Sequence, residues 1–380
     1  MKKTQILLTA IAGSCVVALL FAGIYFGNPV KEDYADVFVG VDAAYDAPEE
    51  IKMRVDAMAA FTNVFVIGST GITFNETKLT DLCQYIYDKG LKFIVYTDDH
   101  EPPTLPSRQW IENAKIRWSS RFLGLYVYDE VGGKQLDLYE WRIVEKADNN
   151  SDARNQFVAH IDSLIQVATS NTTANEGIQV FSSDYALYWF DYKAGYDVLF
   201  AEFGWNYSRQ MNVAFCRGAA EAQKKEWGVM ITWTYSVEPY LESGEELFKD
   251  MVSAYDNGAK YILIFDTNEN YTNGVLMEEH VQAIKQFTQY AHANPRKFGR
   301  VSERTVFVLP KDYGYGFRGP EDKIWGLWEN DAFSYELSVK LGVFLEEYGN
   351  KLDVIYDDDV DYDRLGYDKV IFWNGTTLKR

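Results

Sequence analysis

Cysteine and histidine are both scarce in this chain, and each scarcity removes a class of chemistry. The three cysteines are Cys15, in an N-terminal apolar run, and Cys83 and Cys216, in segments patterned as separate helices. They build no disulfide framework, so buried free thiols are expected and cysteine usage does not decide the compartment. The four histidines, His100, His160, His280 and His292, form no H-x-H or H-E-x-x-H pair. That argues against a His-rich catalytic metal site, and no metal or cofactor is expected. No G-x-S-x-G elbow or P-loop is present, and Gly-Tyr-Gly at 314–316, set among aromatics, reads as a turn. Basic residues are outnumbered, 37 Lys and Arg against 56 Asp and Glu, for a formal charge of -19. Such a surface repels phosphate backbones, so nucleic acid is not an expected partner.

Aromatic residues, by contrast, are plentiful: 16% of the chain, with 27 Tyr and 10 Trp. A large core accounts for such a count. Sugar-gripping surfaces do so equally, because flat rings cover the apolar faces of pyranoses while their polar tips hydrogen-bond. With 47% hydrophobic and 24% charged residues, the chain suits one large domain plus a smaller one.

The N-terminus carries a location signal. Lys2 and Lys3 precede an apolar run over residues 6–26, and Glu32, Asp33 and Asp36 follow soon after it. About 20 apolar residues span a bilayer, and the flanking charge places residues 1–5 in the cytoplasm and the bulk of the chain outside. A cleaved signal peptide is the rival, but its apolar core is shorter and no clean A-x-A site follows. The apolar run continues well past Cys15, which argues against lipidation there. An uncleaved single-pass anchor in the cell membrane is the expectation. Six N-x-[ST] sequons, at Asn75, Asn149, Asn171, Asn206, Asn270 and Asn374, hint at an exported glycoprotein.

From Asp36 onward, short β-rich runs alternate with longer helical patterns. Strands are expected at 37–41, 63–67, 92–96, 122–128, 178–181, 197–201, 228–234 and 261–265, and helices at 48–61, 78–89, 107–121, 152–170, 209–226, 245–257 and 277–293. Residues 131–150 read as a long polar insertion, and 185–192 as an aromatic loop. Eight strands with these connections over residues 34–295 fit a (β/α)8 TIM barrel, whose strands are buried on both faces and so apolar throughout. A doubly wound open sheet is the alternative, but the Asp-Ala-Ala-Tyr-Asp after Val41 has no Gly-rich phosphate turn. Residues 301–380 read as a small α/β domain, either packed on the barrel or cut short by the end of the sequence. The alternating Asp357, Asp359, Asp361 and Asp363, with Asp368 beyond, have the spacing of a Ca2+ loop. Tyr362 at the Gly position makes a solvated acidic loop the better reading.

In a TIM barrel the chemistry sits at the C-terminal ends of the strands. That rule points to Asp42 and Tyr45, Asp98, Asp129 and Glu130, Glu202 and Trp205, Trp233, Tyr235 and Glu238, and Asp266 and Asn268. Carboxylates interleaved with Trp and Tyr suit glycoside hydrolysis, which needs one protonated and one ionised carboxyl about 5–5.5 Å apart for retention or about 6.5–9.5 Å apart for inversion.

The segment Gly124-Leu125-Tyr126-Val127-Tyr128-Asp129-Glu130 resembles the fourth strand of TIM-barrel glycoside hydrolases. The resemblance implies that Glu130 is the acid/base. It departs from the large retaining clan, where Asn usually stands at the position of Asp129, and from chitinase-like barrels, where aspartates stand at Tyr126 and Tyr128. The second carboxylate stays open between Glu202, directly after the sixth strand, and Glu238, after the seventh, where the retaining clan keeps its nucleophile. Catalytic candidates are therefore Glu130, Glu202, Glu238 and Asp129. Asp42, Tyr45, Asp98, Tyr128, Trp205, Trp233, Tyr235, Asp266 and Asn268 are the expected substrate contacts. The expected function is a membrane-tethered extracytoplasmic glycosidase acting on a poly- or oligosaccharide. The alternative is a silent barrel that binds glycans or a surface partner.

Overall fold

A computed structural model of the chain describes residues 36–97, 106–137, 140, 142–169, 178–296, 304–319 and 321–379. The expected anchor over 6–26, Cys15 and the rim residues Asp98 and His100 lie outside the described residues.

Eight parallel strands close into a barrel in chain order: β1 (Phe38–Ala43), β2 (Val64–Ile67), β3 (Lys92–Thr97), β4 (Phe122–Val127), β5 (Gln179–Asp184), β6 (Val198–Phe203), β7 (Glu226–Ile231) and β8 (Tyr261–Phe265). The ring closes where β8 pairs with β1, Tyr261 opposite Phe38 and Phe265 opposite Asp42. The doubly wound alternative is thereby excluded. Strand side chains alternate between the barrel interior and the helix layer. Val64, Val66, Ile94, Tyr126, Phe181, Val198, Phe200, Met230, Tyr261 and Leu263 make the interior cluster. The same parity carries Asp42, Tyr96, Ser183, Glu202 and Phe265 into the barrel mouth.

Helices form where the sequence supplies an apolar stripe and a cap. The first, α1 (Pro48–Met58), opens on Pro48, Glu49 and Glu50 and buries Ile51, Val55 and Met58. A short α2 (Thr70–Thr73) precedes α3 (Glu76–Asp88), and α4 (Arg108–Trp118) follows, the last two capped by Asn75 and Ser107. Next come α5 (Val131–Asp137), α6 (Asn150–Ala168), α7 (Tyr188–Ala194), α8 (Arg209–Gln223), α9 (Gly244–Asp256) and α10 (Glu278–Ala293). Asn149, Ser208 and Ser243 cap α6, α8 and α9. Among the described residues no helix is long and apolar enough to cross a membrane.

Two segments depart from the sequence reading. The expected polar insertion begins with α5, whose residues are mostly buried, and the expected aromatic loop contains α7. Gly132 and Gly133 read as helix breakers, yet their missing side chains let α5 press against β5. A Cβ on Gly133 would lie 2.1 Å from the Tyr185 ring, and one on Gly132 2.7 Å from the Ala186 carbonyl oxygen.

The remaining chain forms β9 (Thr305–Leu309), α11 (Ala332–Tyr348), β10 (Leu352–Tyr356), α12 (Tyr362–Leu365), β11 (Lys369–Phe372) and β12 (Thr377–Lys379), with sheet order β10-β9-β11-β12. It is continuous with the barrel in one unit, Ala35–Arg380. Arg217 on α8 donates to Asp353 at 2.7 Å and to the carbonyls of Asn350 and Leu352. Arg304 is the second partner of Asp353. The loop between β9 and α11 reaches the barrel as well. Its Trp325 is fully buried against Phe157 of α6 and Phe190 of α7. In the acidic stretch, Asp358 pairs with Lys193 and Lys311, and Asp361 caps α12. Cys83 and Cys216 are buried free thiols.

Candidate active site

The site begins with Glu202, the last inward-facing residue of β6. It is 4% exposed. Its carboxyl accepts from Ser183 Oγ at 2.8 Å, and Ser183 Oγ in turn accepts from the Tyr126 hydroxyl at 2.7 Å. Asn212 on α8 fixes the backbone by donating to the Glu202 carbonyl at 2.7 Å. Three neighbouring strands, β4, β5 and β6, thus supply one chain of oriented hydroxyls ending on a carboxyl.

Glu130 lies three residues beyond the end of β4, at the entry to α5. Its φ is 53°, and that of Tyr128 is 52°. Left-handed backbone at two non-glycine residues costs about 1–3 kcal/mol each, so the surrounding structure must hold the turn. It does: the Glu130 N–H donates to the Ser183 carbonyl at 2.8 Å, and Ser182 Oγ donates to the Tyr128 carbonyl at 2.7 Å. The buried Asp184 completes the brace. Its carboxylate accepts the N–H groups of Gly132, Gly133, Tyr185 and Ala186 at 2.6–3.0 Å. Burial still lifts Asp184 to about 6 against those four donors.

The turn sets the Glu130 carboxyl beside that of Glu202, close enough for its charge to raise Glu202. Burial raises Glu130 to about 7, Asp129 adds to the rise, and Lys134 opposes it. Burial and the neighbouring Glu130 push Glu202 well above the usual carboxylate range. Neighbouring carboxyls resist ionising together, so the pair keeps a proton to a higher pH than ordinary carboxylates. Lys134 lies 3.0 Å from Asp129 and 3.8 Å from Glu130. Beside the pair opens a cleft of about 370 Å3 lined by Asp42, Asp46, Tyr96, Tyr126, Asp129, Lys134, Phe265 and Tyr271. Among the described residues no cluster of three or more His, Cys, Asp or Glu side chains is arranged to hold a metal ion.

No family model and no curated protein matches the sequence. Solved structures do match the fold. A GH5_18 protein from Streptomyces cattleya in complex with GlcNAc superposes with a TM-score of 0.57 at 12% identity, over 90% of this chain and 99% of that one. A GH5_18 variant from Bifidobacterium longum subsp. longum in complex with Manβ1-4GlcNAc gives 0.55 at 13% identity, over 90% and 97%. The α-L-fucosidase isoenzyme 2 of Paenibacillus thiaminolyticus gives 0.50 at 10% identity, over 88% and 60%. The chain shares the TIM-barrel fold of these structures.

Within that barrel the expected site residues separate into groups. Glu130, Glu202 and Asp129 come together, with Asp42 across the cleft. Glu238 is exposed on the loop after β7. Tyr45 is fully buried, and Asp266 is spent on Arg54 at 2.8 Å and on the N–H groups of Val275 and Leu276. Neither faces the open cleft. Asn268 folds the loop that carries Tyr271, accepting from the Thr272 N–H at 2.9 Å. Trp233 donates to the Thr267 carbonyl and packs on Tyr240 and Phe265. Trp205 and Tyr235 are exposed at the rim, and Tyr128 is half-buried.

Four contributors had no expected role: Ser183, Tyr126, Lys134 and the stacked pair Tyr185–Tyr207, whose rings lie 5.2 Å apart. The Tyr185 hydroxyl donates to Asp137, which Arg318 grips through both carboxylate oxygens. Strand parity counted back from Glu202 would have found Ser183 and Tyr126. Nothing local marks Arg318, which reaches the wall from the loop after β9.

Proposed function

We propose that this protein is a glycoside hydrolase that cleaves a poly- or oligosaccharide with retention through Glu130 and Glu202. The observation that carries the reading is the pairing of two neighbouring carboxyls at the barrel mouth, both raised by burial. Neighbouring carboxyls leave little room for a water between them. That suits the retaining separation of about 5–5.5 Å better than the inverting one of about 6.5–9.5 Å.

Substrate entry parts the pair and leaves the shared proton on Glu130. Glu130 gives it to the glycosidic oxygen as the bond from that oxygen to the anomeric carbon breaks, and a Glu202 oxygen bonds to that carbon. Water then loses a proton to Glu130 as its oxygen displaces Glu202, restoring both groups. The Ser183 hydroxyl, backed by Tyr126, stabilises Glu202 whenever it is ionised. Asp129 and Lys134 hold each other beside Glu130. Tyr271, Trp205 and Tyr235 offer ring faces for sugar subsites. The sugars named in the two GH5_18 complexes support a carbohydrate ligand.

Residues 6–26 are proposed to tether the barrel outside the cell membrane. Membrane fractionation of the full chain, against a chain lacking those residues, tests this. For the chemistry, Glu130→Gln and Glu202→Gln should each lower hydrolysis by about 10²–10⁴ with the circular dichroism spectrum unchanged. Near-normal turnover by either variant removes the assignment.

A further inference from the structure

The cleft beside the carboxyl pair carries charge that the hydrolytic step does not use. Asp42, Asp46 and Asp129 line it, and Lys134 is the only cation among its lining residues described. Lys134 is already engaged by Asp129 and Glu130. Asp46, at the outer lip, accepts from Ser69 and from the Gly71 N–H.

Asp42 is different. It is 3% exposed, and its Oδ1 has no hydrogen-bond partner. Strand parity on β1 aims it into the mouth, and Gly68, just beyond β2, crowds it: a Cβ there would lie 2.3 Å from Oδ1. The nearby Arg54 is committed to Asp266. A buried carboxyl oxygen without a partner is destabilising, and burial with the like charges of Asp129 and Asp266 pushes Asp42 well above the usual carboxylate range, a penalty that a cation relieves. A neutral hydroxyl would satisfy Asp42 but not the charge of the cleft. A cation would do both, and the rings of Tyr96, Tyr126, Phe265 and Tyr271 around it favour a cation as well.

We infer that this cleft takes an amino sugar bearing a free ammonium group, held between Asp42 and Asp129 with its ring against Tyr271. The inference rests on the hydrolase reading and names its substrate class. An N-acetylated sugar would bring a neutral amide to the same place and leave Asp42 without a counter-charge.

Calorimetry on the Glu202→Gln protein, which binds without turnover, tests it with three hexamers: glucosamine, N-acetylglucosamine and glucose, all β-1,4-linked. The glucosamine hexamer should bind at least tenfold more tightly than the other two, and added NaCl should narrow the gap. Asp42→Asn in the same background should abolish the preference. Equal or tighter binding of either neutral hexamer overturns the inference, as does a preference that survives Asp42→Asn. If the wild type cleaves a neutral hexamer, only the amino-sugar inference falls. If no hexamer is bound or cleaved, the hydrolase reading falls with it.

Discussion

Ser183 Oγ donates a 2.8 Å hydrogen bond to Glu202 Oε1. The donor is itself fixed, because Ser183 Oγ accepts from Tyr126 and so points its own hydrogen at the carboxyl. The arrangement favours the ionised form of Glu202 against a burial that opposes it. Ser183→Ala removes the donor and leaves both Glu202 Oε1 and the Tyr126 hydroxyl without partners. A hydrogen bond to a charged group contributes about 1.5–3 kcal/mol, so kcat/KM should fall about tenfold or more. The acid limb of the pH–rate profile should move upward. An unchanged rate with an unchanged acid limb would show that Ser183 only fills space.

The carboxyl pair also sets the basic limb. Activity requires one proton on the pair, and Glu130 is raised to about 7 by burial and by Asp129. Hydrolysis should therefore decline only as pH rises through about 7 or above, well beyond ordinary carboxylates near 4.3. A profile of kcat/KM from pH 4 to 9 checks this. A basic limb near 5 would mean that no shared proton exists.

The same shift has a stability consequence of definite sign. Folded Glu130 holds its proton to about 7, whereas the unfolded group releases it near 4.5. Its contribution is fully present below the unfolded value and is lost as pH rises through the folded one. Thermal midpoints should fall as pH rises from about 4.5 to about 7, and Glu130→Gln should flatten that fall. Parallel curves for the two proteins would contradict the burial of this group.

Asp184 supports the turn that carries Glu130. Asp184→Asn keeps an acceptor for some of its four N–H partners but sets an amide donor against another, such as Gly132. The expected loss is about 1–3 kcal/mol in a urea titration at pH 7, with a parallel loss of activity. An unchanged midpoint would mean that α5 is held by packing alone.

The barrel was legible because parallel strands covered on both faces must be apolar along their whole length, as in Val-Phe-Val-Ile at 64–67 and Tyr-Ile-Leu-Ile-Phe at 261–265. Glu202 stood out as a carboxylate at the end of such a run. What escaped depends on partners distant in sequence. Gly132-Gly133 reads as a break until Asp184 supplies acceptors for its N–H groups. Asp266 looks available until Arg54 claims it. Arg318 has no local signature, because its work on Asp137 and the Tyr185 wall exists only once the second sheet packs on the barrel. Glu238 and Glu202 were alternatives on spacing; Glu202 is buried in the barrel mouth, whereas Glu238 is exposed on its loop.

Rescue by azide tests the central claim most directly. On an oligosaccharide that the wild type cleaves, Glu130→Ala and Glu202→Ala should both be nearly inactive. Azide should restore Glu130→Ala with a glycosyl azide of retained configuration, and Glu202→Ala with one of inverted configuration. Wild-type release of reducing ends by either variant, or rescue of neither, would contradict a catalytic pair made of Glu130 and Glu202.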